Sequence, residues 1–136
     1  MRARVSARKG TRPARAPHLA GVPNATEAEY ARLYLEPRRL IGEIERYEFE
    51  PDTMPLSERL PRRNRCSFTP DYKVTFPGGA VEYHEVKGFM EGDAYIKLKW
   101  AIEKYPQYAF VLATRARKGR WRIQRFGGWE SKGGCR

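Results

Sequence analysis

Downstream of Asn24 and Thr26 the apolar residues Ala28, Ala31, Tyr34 and Leu35 recur at helical spacing, which predicts an amphipathic helix. Either Asn24 or Thr26 suits its N-cap, and Glu27 and Glu29 favour its first turn. Pro37 is expected to interrupt or kink this helix, and Gly42 to stop it. Alternation then takes over. Ile44 to Glu50, with Tyr47 and Phe49 in phase, predicts a strand. Residues 51–65 hold three prolines and many charges, and predict a loop. Phe68 to Phe76 predicts a strand with Tyr72, Val74 and Phe76 on one face and Asp71, Lys73 and Thr75 on the other. Pro77-Gly78-Gly79 is a turn signal, and Val81 to Lys87 is the returning arm of a hairpin that ends at Gly88.

A second helix is predicted over Asp93 to Tyr105, with Asp93 as its N-cap and Ala94, Leu98, Ala101, Ile102 and Tyr105 as its apolar stripe. Ile96 and Trp100 lie off that stripe, one turn apart, and suit a dimer contact, a base-stacking surface or extra core alike. Tyr108 to Thr114 is a near-continuous apolar run, as expected of a strand covered on both faces. Trp121 to Phe126 predicts an edge strand, in which Trp121 serves packing. The order is helix, strand, hairpin, helix, strand, strand. That predicts an α/β or α+β fold with one central mixed β-sheet flanked by helices.

Composition narrows the class. A chain of 136 residues is expected to form one domain with tails and to bury a core without staples. No run approaches the roughly eighteen apolar residues of a membrane span, and the basic amino-terminal stretch lacks the apolar segment of a secretory signal. Cys66 and Cys135 are far apart, with no Cys/His cluster at zinc spacing. The expected compartment is therefore the cytoplasm, with no membrane partner and no zinc.

Charge changes the picture more. The formal net charge is +11, from 27 Lys and Arg against 16 Asp and Glu. Residues 1–24 contribute +6 and residues 113–136 contribute +7, which leaves −2 for residues 25–112. The basic ends favour a polyanion, nucleic acid first. Residues 1–24, rich in Arg, Ala, Pro and Gly, are expected to be a disordered basic arm. Residues 25–126 are expected to be the domain and 127–136, with Trp129 as a stacking candidate, a flexible tail. Arg115, Arg117, Lys118, Arg120, Arg122 and Arg125 crowd one short stretch without an acid, which favours phosphate contact. No helix-turn-helix, zinc finger or RNP aromatic pattern supports base-specific reading.

The chemistry lies in Thr69-Pro70-Asp71, thirteen residues, then Glu85-Val86-Lys87. On a hairpin Asp71 and Glu85 fall near each other, and Glu85 and Lys87 project from the same face. Convergent carboxylates call for a cation, and a hard divalent metal suits an oxygen-rich site. The bland reading is a solvated hairpin face with a cross-strand ion pair. On that reading Glu82 and Glu91 are solvated too. His84 is expected to be structural or at the surface.

At Pro70-Asp71…Glu85-Val86-Lys87 the sequence resembles the PD-(D/E)xK nucleases, the restriction-endonuclease-like superfamily. Glu-Val-Lys-Gly followed by Ile96-Lys97-Leu98-Lys99 and Tyr105-Pro106 is also similar to phage Holliday-junction resolvases of the endonuclease I type. The resemblance covers roughly residues 25–114. It implies a restriction-endonuclease-like core and a metal-dependent endodeoxyribonuclease, resolvase-like on branched DNA. It further implies Mg²⁺, with Mn²⁺ as a substitute, held by Asp71 and Glu85 with help from Glu27 (Glu29 as the alternative). Lys87 would orient or activate water. Lys97, Lys99, Arg115, Arg117, Lys118, Arg120 and Arg122 would contact DNA, and a homodimer would follow if two strands are cut. The rival readings are a nuclease for ordinary duplex or single-stranded DNA and a non-catalytic basic nucleic-acid-binding module.

Overall fold

A computed structural model describes residues 21–57, 66–88 and 92–128, without the side chains of 92–94. The expected disordered arm, apart from its last four residues, and the expected tail beyond Gly128 lie outside the described residues, as do Glu91, Trp129 and Cys135. The fold is α+β: a five-stranded mixed sheet, a small two-stranded sheet and few helices.

Helix α1 (Ala25–Tyr30) starts at a capping box. The Asn24 side chain accepts from Glu27 N while the Glu27 carboxylate accepts from Asn24 N. Before Pro37 the α-helical ladder is interrupted, as expected, but the helix does not end there. The chain widens into a π-helical segment (Ala31–Leu35), where Glu36 N donates to Ala31 O, and resumes as α2 (Glu36–Leu40). The slip puts Pro37 in the first turn of α2, the helical position where proline is best tolerated. Gly42 stops the helix in a left-handed conformation, φ +82°.

Strand β1 (Arg46–Phe49) follows. The expected loop at 51–65 instead contains β2 (Met54–Ser57), which pairs antiparallel with β3 (Cys66–Phe68); residues 58–65 lie outside the described residues. Likewise Phe68 to Phe76 is not one strand. Thr69-Pro70 turns the chain out of the small sheet, and β4 (Tyr72–Thr75) begins after the corner, since Pro70 has no N–H to give a ladder. The hairpin of β4 and β5 (Val81–Lys87) forms as expected, with Tyr72 opposite His84. Helix α3 (Gly92–Lys104) starts one residue earlier than expected, so Asp93 lies inside it and is not its cap. It leads to β6 (Ala109–Arg115), parallel to β5, and then to β7 (Trp121–Phe126). The sheet order is β1-β4-β5-β6-β7.

Both faces of the sheet are covered. On one, α3 and the small sheet bury Met54, Leu56, Phe68, Tyr83, Leu98, Ala101, Phe110 and Leu112. On the other, α1 and its continuation bury Tyr30, Leu35, Ile44, Tyr72, Val74, Val86 and Ala113. Trp121 packs against the second cluster, edge-on to Tyr30 at 5.0 Å between ring centroids. No helix among the described residues is long and apolar enough to cross a membrane.

The end of β7 provides a stability test. A Cβ on Gly127, at φ +67°, would lie 2.6 Å from the Tyr108 carbonyl oxygen, whereas one on Gly78 meets nothing within 4 Å. Gly127→Ala is expected to lose about 2–4 kcal/mol in a urea melt, against about 1 kcal/mol for Gly78→Ala. Equal losses would show that the close approach at Gly127 is not limiting.

Candidate active site

The hairpin and the helix start bring Asp71, Glu85, Lys87 and Glu27 to one end of the sheet. Asp71 follows the Pro70 corner, one residue before the first pair of the β4–β5 ladder. Its backbone carbonyl accepts from Glu50 N at 2.8 Å, and its Oδ2 accepts from Val86 N at 2.7 Å. The side chain thus continues the hairpin pairing past the last backbone partners. Glu85 is 7 % and Asp71 6 % exposed. The Glu85 Oε1 atom meets Lys87 Nζ at 2.8 Å, while its Oε2 is buried without a hydrogen-bond partner.

Burial dominates the electrostatics. It pushes the Asp71 carboxyl up to about 9, with the nearby Glu85 and Glu27 charges adding to it against the Val86 N–H and the Lys87 ammonium. Glu85 is also raised, by burial first and by Glu27, although Lys87 opposes this. Lys87 is raised in turn. Burial works against its charge, but Glu85, Asp71 and Glu27 together prevail, so the ammonium stays protonated. Two carboxylates held this close cannot both ionise without a cation.

Glu27 is placed by the helix start. Tyr72 Oη donates to the Glu27 backbone carbonyl at 2.9 Å, which fixes α1 to β4. Glu27 is close enough to raise both site carboxyls, but its two side-chain oxygens accept from Asn24 N and Nδ2 at 2.8 and 2.9 Å. These bonds hold the Glu27 carboxylate at the helix start, close to the pair. No group of three or more His, Cys, Asp or Glu among the described residues is arranged to hold a metal ion. Glu29, the alternative, turns to Arg115 and joins it in an ion pair.

The basic residues divide by position. Strands β5 and β6 are parallel, and Lys87 lies opposite Thr114. Arg115 and the turn at Arg117–Gly119 therefore leave the sheet at the same end as Glu85 and Lys87. Arg117, Lys118, Arg120 and Arg122 are exposed and form no ion pair among the described residues. Arg115 is engaged by Glu29 and lies 5.8 Å from the Trp121 ring. Lys97 and Lys99 are exposed on α3, with Lys99 over the Tyr95 ring. Ile96 and Trp100 are exposed, so they are not core.

No family model, curated protein or solved structure matches this chain.

His84 is structural, as expected, and more deeply so than alternation alone implies. It is buried, with Nδ1 2.6 Å from Tyr30 Oη and Nε2 3.0 Å from Glu82. Burial holds its pKa down against the Glu82 charge. Glu82 is not solvated, because His84 and Arg125 both contact it and hold its carboxyl low against burial. The neutral imidazole then donates from Nε2 to Glu82 and accepts from Tyr30 at Nδ1. Asn24, expected as a cap, also positions the Glu27 carboxylate, and Tyr72 is a positioning residue that the sequence marks only as part of a strand face. Only Asn24 carries a local signal, its three-residue spacing from Glu27.

Proposed function

We propose that this protein is a Mg²⁺-dependent endodeoxyribonuclease that hydrolyses phosphodiester bonds, with branched DNA as the preferred substrate. The observation that carries the reading is the buried Asp71–Glu85 pair beside Lys87. A pure binding module has no use for two desolvated carboxylates this close together. The fit to a hard divalent cation is chemical: the unpartnered Glu85 Oε2 and the raised Asp71 carboxyl both favour a bound positive charge. Mg²⁺ typically takes one or two protein carboxylates and completes its shell with water and phosphate, so a two-carboxylate site suits it. Such an ion, held by Asp71 and Glu85, would polarise a phosphoryl oxygen and acidify a bound water.

The remaining work falls to the chain's own groups. Lys87, kept protonated by its neighbours, places positive charge where the phosphate develops negative charge. That assigns it electrostatic stabilisation rather than general-base duty. Glu27 contributes charge from the capped helix start. The turn at 117–119 and its flanking arginines supply backbone phosphate contacts next to the site, which suits reading of DNA shape rather than sequence. A homodimer follows if both strands of a branch are cut, because each chain has one such centre.

The test is incubation of the purified protein with four-way-junction, linear duplex and single-stranded DNA, with Mg²⁺ or with chelator. Cutting that requires Mg²⁺ and favours the junction is expected. Equal cutting of linear DNA favours the ordinary-nuclease reading. No cutting of any DNA with Mg²⁺ present would leave only the binding module.

A further inference from the structure

Period-two alternation sorts the arginines of β6 and β7 between the two faces of the sheet. Arg115 and Arg125 are in phase with Ala113, Trp121 and Ile123, which pack on the α1 side. Each meets an acid there: Arg115 pairs with Glu29 and Arg125 with Glu82. The turn at Arg117–Gly119 leans the same way, since a Cβ on Gly119 would lie 3.9 Å from Leu33 Cδ1 of the π-helical segment. Arg122 has the opposite phase, that of Phe126 and Leu112 on the α3 side. It is exposed and forms no ion pair or side-chain hydrogen bond among the described residues.

The α3 side is also the face of Glu85 and Lys87, which share the phase of Tyr83 and alternate with Val86 on the other side. Lys87 lies opposite Thr114, and Thr114 opposite Arg122. The three side chains therefore form one row across β5, β6 and β7 at the carboxylate end of the sheet: ammonium, hydroxyl, guanidinium. Each can donate a hydrogen bond, and no acid stands in the row. It spans two strand spacings, about 10 Å, which is wider than one phosphate group and suits successive phosphates of one strand. We infer that Arg122 binds a backbone phosphate of the DNA strand whose scissile phosphate lies at Lys87, so that this strand crosses β6 and β7 along the row. Arg115 and Arg125, already neutralised on the far face, take no part in that contact. The inference rests on the nuclease reading for the phosphate at Lys87.

The test compares two arginines three residues apart on opposite faces. Binding to four-way-junction DNA is measured in chelator across a salt series for the parent, Arg122→Ala, Arg122→Lys and Arg125→Ala. Both positions are exposed, and thermal melts check the fold; if Arg122→Ala is unfolded, Arg122→Gln, which keeps more of the stem, takes its place. Arg122→Ala is expected to bind about tenfold more weakly at low salt and to lower the slope of log affinity against log salt by about one. Arg122→Lys keeps the charge and should keep the slope. Arg125→Ala should keep both slope and affinity. A parental slope in Arg122→Ala, an equal loss in Arg125→Ala, or no DNA binding by the parent overturns the inference and leaves Arg122 as a solvated charge on an edge strand. Failure of the nuclease reading shows separately, as DNA held through Arg122 but never cut in Mg²⁺.

Discussion

Asp71→Asn is expected to abolish DNA cleavage and, at the same time, to make the metal-free protein more stable at neutral pH. Burial, with the Glu85 charge beside it, pushes the Asp71 carboxyl from the ordinary 3.8 up to about 9 in the folded chain. Between those values the folded state keeps a proton that the unfolded state has lost. Stability therefore falls as pH rises across that window, and levels off only above about pH 9. Asparagine is neutral throughout, nearly isosteric, and its carbonyl oxygen still accepts from Val86 N. Removing the buried conflict should add on the order of 1–3 kcal/mol at pH 8 and flatten the pH profile. Mg²⁺ should act oppositely on the two proteins. In the parent it displaces the Asp71 proton and binds only the folded chain, so it should raise the melting temperature more at pH 8 than at pH 6. In Asp71→Asn the increment should vanish. Thermal melts in chelator and in Mg²⁺ across pH 5–9 provide the measurement. A variant less stable than the parent at pH 8 in chelator would mean that the Asp71 charge is not a burden on the fold.

The parts of this picture that sequence alone discloses are those set by local rules. The helix start is written in Asn24 and Glu27, because a capping box needs only residues three apart. The β4–β5 hairpin is written in period-two alternation around Pro77-Gly78-Gly79, and with it the approach of Asp71 to Glu85. Local rules fail where a proline is accommodated by distant structure. The π-helical widening that carries the helix through Pro37, the corner at Pro70 and the small sheet containing Pro55 all depend on what packs against them. The site shows the same division. That Glu29 goes to Arg115 and that the basic turn lies beside Lys87 are consequences of tertiary placement. The last follows from parallel pairing of β5 and β6, which no spacing of basic residues reveals.

Lys87→Met is expected to uncouple metal binding from cleavage. The ammonium lies 2.8 Å from Glu85 Oε1, so in the metal-free protein it is the counter-ion that makes a buried carboxylate tolerable. Methionine keeps the length and apolar stem but removes the charge. Without it the Glu85 carboxyl should rise further, since burial and Glu27 already push it up. The metal-free variant should lose about 1–3 kcal/mol, less than for a fully buried pair because Lys87 is partly exposed. Mg²⁺ should then bind more tightly than in the parent, because it no longer shares Glu85 with an ammonium, and should give a larger rise in melting temperature. Cleavage should nevertheless fall by about 100- to 1,000-fold, the loss typical of one preorganised charge on a developing oxyanion. Lys87→Arg is the discriminating partner. It restores a cation beside Glu85 and hence the metal-free stability, while its planar fork presents charge differently and recovers cleavage only in part. Single-turnover cleavage at saturating Mg²⁺ and Mg²⁺-dependent melts decide the matter. Lys87→Met cleaving within a few-fold of the parent would reduce Lys87 to a structural counter-ion and move the transition-state charge to the arginines of the adjoining turn.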